Sequence, residues 1–265
     1  MTKPILVLTA LAALAACGGS GTPATEEPTT RTADAFHADV ISTSTPSTIT
    51  VDYSQATDQF TFAADGTGIN GLVRQETYDN GMVRGFVDSG QDVFAYAYRS
   101  DDGQVAVIGG DAPYFNFRGA TIERLSEVEV PLTGAATFTG DYAGMFGEQV
   151  LTGNTEGVRF LVNGDVTITA EFADNTVAGL ITNRAFRGEN NSERAFPVED
   201  VTLESATLDD DLRFSGVATG GGVNGGTTSN NTFIGSINGD AEEVLGIVTI
   251  DHFEGYEWGV FVVTD

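Results

Sequence analysis

The only thiol of this 265-residue chain, Cys17, lies directly after a short apolar segment. Lys3 gives the amino end a positive charge, residues 5–14 are almost entirely apolar, and the small residues Ala15 and Ala16 follow. A basic start, an apolar stretch of this length and small residues at its end are typical of a secretory signal peptide, and the stretch is too short to span a bilayer. The sequence therefore predicts that residues 1–16 are a signal peptide.

Leu14-Ala15-Ala16-Cys17 also resembles the lipobox of bacterial lipoproteins. In that family the thiol is acylated, the chain is cut before the cysteine, and the new amino group is acylated too. The resemblance implies that lipid on Cys17 anchors the mature chain to a membrane. The residue after the cysteine is Gly18 rather than Asp, which in this family would favour retention in the inner membrane, so the resemblance implies the outer membrane. The alternative is a plain secretory signal with a chance cysteine. Residues 17–35 are rich in Gly, Ser, Thr and Pro and predict a flexible tether.

Few residues are spaced for catalysis. Asp88-Ser89-Gly90 matches one of the two loops in which aspartic proteases hold a pair of carboxylates, but a second such loop is missing, so we expect a hairpin turn. His37 and His252 are the only histidines, and they could ligate haem or a metal only if the fold joined them; we expect two unrelated surface groups. The sequence predicts neither an enzyme nor a bound cofactor.

Composition narrows the classes of partner. The chain has 38 acidic and 12 basic residues and a formal net charge of −26. Such a surface repels nucleic-acid phosphates and anionic lipid, which excludes both as expected partners. A cation, a basic protein or simple solubility in water is compatible with the charge. Three runs that are rich in side-chain oxygen, at residues 101–102, 163–165 and 209–211, could hold calcium, but they lack the spacing of an EF-hand loop, so we expect solvated turns.

Nearly the whole chain reads as β-strands. Short runs rich in Val, Ile, Thr, Phe and Tyr alternate with Gly, Asn and Asp clusters. Residues 36–130 predict an amino-terminal β-rich domain, with hairpin turns such as Asn80-Gly81 and Asp102-Gly103. Residues 134–265 predict eight strands, the number at which a small barrel closes with its interior filled by side chains. These are 136–142, 166–172, 177–183, 201–207, 212–218, 232–237, 244–250 and 257–264.

The last two predicted strands are apolar on both faces, which requires cover outside the barrel as well as inside. We therefore expect the amino-terminal domain to pack against them. Trp258 is assigned to the inward face with Val260 and Val262 and should be buried. The predicted fold class is all-β, an eight-stranded antiparallel barrel packed against a smaller antiparallel β-rich domain.

Two segments resemble the barrel domains of transferrin-binding protein B. They are Ala136 to Gly144, at the opening strand, and Phe233 to Gly246, with its Gly-rich strand, turn and Ala241-Glu242-Glu243. In that family such segments belong to an eight-stranded barrel beside a smaller handle domain, on a lipid-anchored outer-membrane protein. The resemblance covers about residues 134–265. A structural role for Gly140, Gly246 and the two glutamates is preferred to a binding role.

Ligand recognition is predicted at two segments that are longer than hairpins require. The first segment, residues 185–200, contains Arg187 and Arg194 and directly follows Arg184. These three arginines either bind an anionic ligand or pair with nearby carboxylates, and pairing is the preferred interpretation. Residues 220–231 contain Asn224 and five glycines and are expected to be flexible. The sequence thus predicts a lipid-anchored outer-membrane or cell-surface binding protein whose ligand, a protein or an iron-related compound, is connected with iron or solute uptake. The alternative is a structural or envelope-interaction lipoprotein without a small ligand.

Overall fold

The computed structural model describes most of the chain from residue 30 onward. The described residues are 30–33, 37–41, 49–54, 56–57, 59–64, 72–88, 90, 93–112, 115–131, 133–149, 155–188, 192–194, 197–223, 225–253 and 255–265. Apart from one turn of 3₁₀ helix at Glu76–Tyr78, their regular elements are all strands, which confirms the predicted fold class. Within these ranges there is no helix of the length and hydropathy needed to cross a membrane. Cys17 and the predicted signal peptide lie outside the described residues.

The amino-terminal block, residues 30–131, forms three antiparallel sheets. Its strands are β1 (Thr30–Ala33), β2 (His37–Ile41), β3 (Ile49–Ser54), β4 (Gln59–Ala64), β5 (Val73–Arg74), β6 (Arg84–Val87), β7 (Val93–Arg99), β8 (Gly103–Ala112), β9 (Phe115–Arg124) and β10 (Val128–Pro131). Six strands form one sheet in the order β2-β9-β8-β7-β6-β5, while β3 pairs with β4 and β1 with β10.

Strand β1 corrects the predicted extent of the tether. Residues 30–33 fall inside the segment expected to be flexible, yet Thr30 lies opposite Pro131 and Ala33 opposite Val128. Two strands can pair through backbone hydrogen bonds alone, without any apolar alternation. The polar sequence of β1 therefore gave no signal that predicts a strand.

The second block is a closed barrel. Its strands are β11 (Ala135–Gln149), β12 (Thr155–Glu171), β13 (Thr176–Arg187), β14 (Glu193–Arg194), β15 (Val201–Thr207), β16 (Arg213–Gly220), β17 (Thr228–Asn238), β18 (Glu243–His252) and β19 (Gly255–Thr264). Setting aside the two-residue β14, which adds to β13, each strand pairs antiparallel with the next, and β19 pairs with β11. The eight predicted strands are therefore confirmed, although β11 and β12 are longer than predicted, at 15 and 17 residues.

Three apolar layers stabilise the molecule. The first fills the barrel with buried side chains such as Phe138, Ile168 and Phe214. The second joins the six-stranded sheet to the outer face of β18 and β19, and the third lies between the same sheet and the β3–β4 hairpin, where Phe60 and Phe62 meet Phe86. The strands that are apolar on both faces are thus covered by the amino-terminal block, as predicted.

Trp258 is buried as predicted, but the predicted face is wrong. Its side chain packs with Val260 and Val262 against the amino-terminal block, and its Nε1 donates a hydrogen bond to the Ile108 carbonyl (3.2 Å). The indole crosses β8 at Gly109, where a Cβ atom would lie 2.2 Å from the Trp258 ring. Phe261 and Val263 face the barrel interior instead. Alternation alone gives no preferred face when both sets of side chains are apolar.

Candidate functional site

Both long segments lie at the same end of the barrel, which we call the rim. Its described residues are 188, 192–194, 197–200, 221–223 and 225–227, together with the β18–β19 turn at Phe253. Backbone hydrogen bonds join the first two segments, from Glu199 N to Gly222 O and from Gly221 N to Asp200 O, both 2.9 Å. Val198 and Val223 form an isolated bridge beside them. The glycine-rich segment, expected to be flexible, is therefore tied to its neighbour over its described residues.

A buried polar cluster inside the barrel supports the rim from below. Glu257 accepts hydrogen bonds from Tyr142 (2.8 Å) and from the guanidinium of Arg184, and Nε2 of His252 lies 3.2 Å from its Oε2. Arg184 also donates to the backbone carbonyls of Glu199 (2.6 Å) and Gly221 (3.1 Å). One side chain thus connects the interior ion pair to both rim segments.

The side chains of Arg184 and Glu257 are both fully buried. Burial opposes ionisation of Glu257, but the charge of Arg184 and the hydrogen bonds from His252 and Tyr142 outweigh it, so the pKa of this carboxyl is lowered. Burial, followed by the neighbouring Glu257 charge, raises the pKa of Tyr142 well above its usual value. The cluster therefore contains an ion pair between Arg184 and Glu257, and the Tyr142 phenol remains a hydrogen-bond donor at neutral pH.

Of the four predicted ligand-loop residues, the structure describes the side chains of Arg184 and Arg187. Arg184 lies on β13 inside the barrel, in an ion pair with Glu257 rather than with the carboxylates close in sequence. Arg187, half-buried at the end of β13, acts electrostatically on Tyr96 of the amino-terminal block. The Arg194 side chain and Asn224 lie outside what the structure describes. An arginine island made by Arg184 and Arg187 is therefore not formed.

The other candidates have structural surroundings. Asp88 accepts a hydrogen bond from Val93 N (3.1 Å) in the β6–β7 hairpin, as the turn interpretation predicts. His252 is buried against Glu257 and Phe146, which corrects its assignment to the surface. The carboxylates of Asp209 and Asp211 bind Arg213. Among the described residues, no group of three or more metal-ligating side chains is placed to hold an ion.

The segments that carry the family resemblance hold the two blocks together. Asp141 accepts a hydrogen bond from Met82 N (3.0 Å), and Glu243 accepts one from Tyr98 (2.8 Å) and one from Ser100 (3.1 Å). Gly246 lies so close to Phe261 that a Cβ would sit 2.0 Å from its ring. These contacts agree with the structural role that the sequence favours for this signature.

A cleft opens beside the rim, between β9 and the outer face of β18 and β19. Its volume is about 200 Å³, and its walls include Arg118, Asn230, Asp251, Tyr256 and Trp258. The Arg118 guanidinium lies 3.9 Å from the centre of the Tyr256 ring and 5.9 Å from that of Trp258. The sequence carried no signal for this cleft, because its residues come from strands more than a hundred positions apart.

Comparisons with known proteins add a fold likeness. No protein-family model matches the sequence. No curated protein matches it either. Among solved structures, the chain is similar to a variant of the vaccine antigen transferrin-binding protein B from Haemophilus parasuis Hp5, at 10% identity and a TM-score of 0.43. The match covers 87% of this chain and 45% of that one, so the chain spans less than half of that protein's length. The barrel itself is established by the strand pairing described above.

Proposed function

We propose that this chain is a lipid-anchored binding protein of the bacterial outer membrane or cell surface. The lipobox-like sequence at Cys17 supports the anchor. The ligand, in this proposal, is a protein or an iron-related compound used in iron or solute uptake. Recognition takes place at the rim, away from the interior of the barrel.

The single observation that carries the proposal is the construction of the rim. Two segments longer than hairpins require are joined to each other and held by a buried charged residue, Arg184. Loops that are held by backbone hydrogen bonds on a stable β scaffold are a common form of binding surface, because they lose little conformational entropy when they bind.

The exposed residues of the rim favour a basic protein surface as the partner. Phe253, with 76% of its surface exposed, lies at the β18–β19 turn. Glu199 and Asp200 are exposed on the neighbouring segment. An exposed aromatic side chain flanked by carboxylates is suited to a partner that supplies an apolar pocket bordered by Lys or Arg.

The alternative remains a structural envelope lipoprotein with no small ligand. The contacts between the two blocks favour this alternative, because residues of the family-like segments serve packing, as the hydrogen bonds of Asp141 and Glu243 illustrate. The two hypotheses differ in what the rim does, since only the first requires a ligand there.

The test uses the secreted Cys17→Ser chain, immobilised and exposed in turn to haem, a ferric siderophore and iron-carrying proteins. A rim variant combines Glu199→Gln, Asp200→Asn and Phe253→Ser. We expect it to weaken capture by about a hundredfold, since loss of an anchoring aromatic and two charges costs at least about 2–3 kcal/mol. These substitutions leave the backbone bonds of residues 199–200 in place.

A matched control removes two charges and one exposed apolar side chain elsewhere. Asp240→Asn and Glu242→Gln lie at the opposite end of the barrel, and Val217→Ser lies on its exposed wall. This variant should bind normally. Equal binding by both variants would exclude the rim, and no binding by the unaltered chain to any of the three ligand classes would favour the structural alternative.

A further inference from the structure

The cleft between the amino-terminal block and the barrel carries charges of both signs. Arg118 lines it from β9, and Asp251 lines it from β18. The two are close enough for the carboxylate to act on the guanidinium, while burial lowers the pKa of Arg118. Asp251 Oδ2 makes a long contact, 3.5 Å, with Nδ2 of Asn230. Both charged groups thus border a space that a small ligand could occupy.

The remaining walls of the cleft are mostly apolar. Tyr256 and Trp258 present aromatic surface, and Ala120 adds aliphatic surface. The indole N–H of Trp258 already donates to the Ile108 carbonyl, so its ring contributes as an apolar surface. The cleft is smaller than the range of about 300–1,000 Å³ typical of sites for drug-sized molecules. A ligand that fits is therefore small and has one apolar part.

The charges exclude the two simplest classes of ligand. A simple anion paired with Arg118 would face the Asp251 carboxylate and a chain with net charge −26. A simple cation paired with Asp251 would face the desolvated guanidinium of Arg118. A zwitterion satisfies both groups at once.

We propose that this cleft is a binding site for a free α-amino acid with an apolar or aromatic side chain. The carboxylate of the ligand pairs with Arg118, its ammonium group pairs with Asp251, and its side chain rests on Trp258. This site goes beyond the proposed function, because it lies on the outer wall of the barrel and uses neither rim segment. Rim binding and cleft binding can therefore succeed or fail independently.

The single tryptophan of the chain makes the test direct. Trp258 lines the cleft, so intrinsic fluorescence reports on this site alone. The Cys17→Ser chain is titrated with L-phenylalanine and L-leucine up to about 10 mM, a range suited to the weak affinity of such small ligands. Phenylacetate and phenethylamine, which keep the ring but carry only one of the two charges, serve as comparison ligands. Calorimetry repeats each titration without relying on fluorescence.

We expect saturable binding of the amino acids, with each one-charge ligand bound at least about tenfold more weakly, as loss of one charged contact predicts. Arg118→Met, which keeps an aliphatic stem over Tyr256, and Asp251→Asn should each weaken L-phenylalanine binding to the same extent. Arg213→Met, outside the cleft, is the matched control and should leave binding unchanged.

Several results would overturn the proposal. Absence of saturable binding of both amino acids in calorimetry would do so, whatever the variants show. Phenylacetate binding as tightly as L-phenylalanine would identify an anion site instead. Undiminished binding in Asp251→Asn would show that the ammonium contact is absent. Each variant is checked by circular dichroism, and the ligand series on the unaltered chain decides the outcome where a variant fails to fold.

Discussion

Neutralising Glu257 should destabilise the whole barrel end that carries the rim. In Glu257→Gln the amide can still accept a hydrogen bond from Tyr142, but Arg184 loses its counter-charge in a site where its side chain has no exposed surface. Removing one partner of a buried ion pair costs about 3–5 kcal/mol, because the other charge stays desolvated. The free energy of unfolding of an ordinary domain is about 5–15 kcal/mol. The Glu257→Gln variant should therefore lose a large fraction of its stability.

The assay is urea denaturation followed by Trp258 fluorescence and circular dichroism. With an m-value of about 2–3 kcal/mol/M, the midpoint should fall by about 1–2 M. Glu243→Gln is the matched control, since Glu243 is also buried and hydrogen-bonded but faces Tyr98, Ser100 and Asn238 rather than an arginine partner. Burial raises the pKa of Glu243. The Glu243→Gln substitution should therefore lower the free energy of unfolding clearly less than Glu257→Gln does.

A second variant separates charge from packing. Combining Glu257→Gln with Arg184→Met removes both charges and leaves the carbonyls of Glu199 and Gly221 without their donor, a loss of about 1–3 kcal/mol. The double variant should therefore lose less than the sum of the two single variants. A loss below about 1 kcal/mol in Glu257→Gln, or strict additivity in the double variant, would refute the reasoning.

The ion pair between Arg184 and Glu257 also predicts how the stability of the protein changes at acidic pH. The folded pKa of Glu257 is lowered, so its contribution is complete above its ordinary pKa, 4.5, and is lost as the pH falls through the lower folded value. Protonation of the carboxyl in acid has the same effect as the Gln substitution. The stability of the unaltered chain should therefore fall below about pH 4.5 more steeply than that of Glu257→Gln.

Two further predictions concern the block interface and the anchor. Trp258→Ala should cost about 3–5 kcal/mol, because the indole is buried between β19 and β8; thermal melts by circular dichroism measure this, and a loss near zero would contradict the packing. Cys17→Ser should release the protein from membranes into the soluble fraction, whereas wild type should partition into detergent; a Ser variant that stays with membranes as an integral protein would remove the lipid anchor from the proposal.

The barrel was predictable from the sequence because its signals are local. In β15, for example, residues 201–204 alternate between buried and exposed, and most of the barrel turns are short. Strands β1 and β9 are among those that the sequence did not predict, and both lack that pattern. Strand β1 is polar, and β9 opens Phe-Asn-Phe-Arg-Gly-Ala, where glycine and arginine interrupt the apolar alternation. Alternation finds a strand only when its two faces meet different surroundings.

The buried cluster was beyond the reach of the sequence for a different reason. Arg184 and Glu257 are 73 positions apart, and each stands next to residues that suggest a surface location, Asn183 beside Arg184 and Glu254 near Glu257. A weak signal existed in β19, where Glu257 interrupts a run that is otherwise apolar on both faces. A charged residue at such a position requires a buried partner, but only closure of the barrel identifies which one.

Several of the few arginines of this chain are engaged within the fold, which disfavours an acidic partner surface at the rim. The chain has only 12 basic residues against 38 acidic ones. In the described parts of the chain, Arg184 neutralises Glu257, Arg213 binds Asp209 and Asp211, and Arg118 lies on an aromatic ring. Arg184 and Arg213 thus stabilise the fold, and exposed carboxylates such as Glu199 and Asp200 remain at the rim. In the proposed function, a partner that binds at that end is therefore expected to supply positive charge.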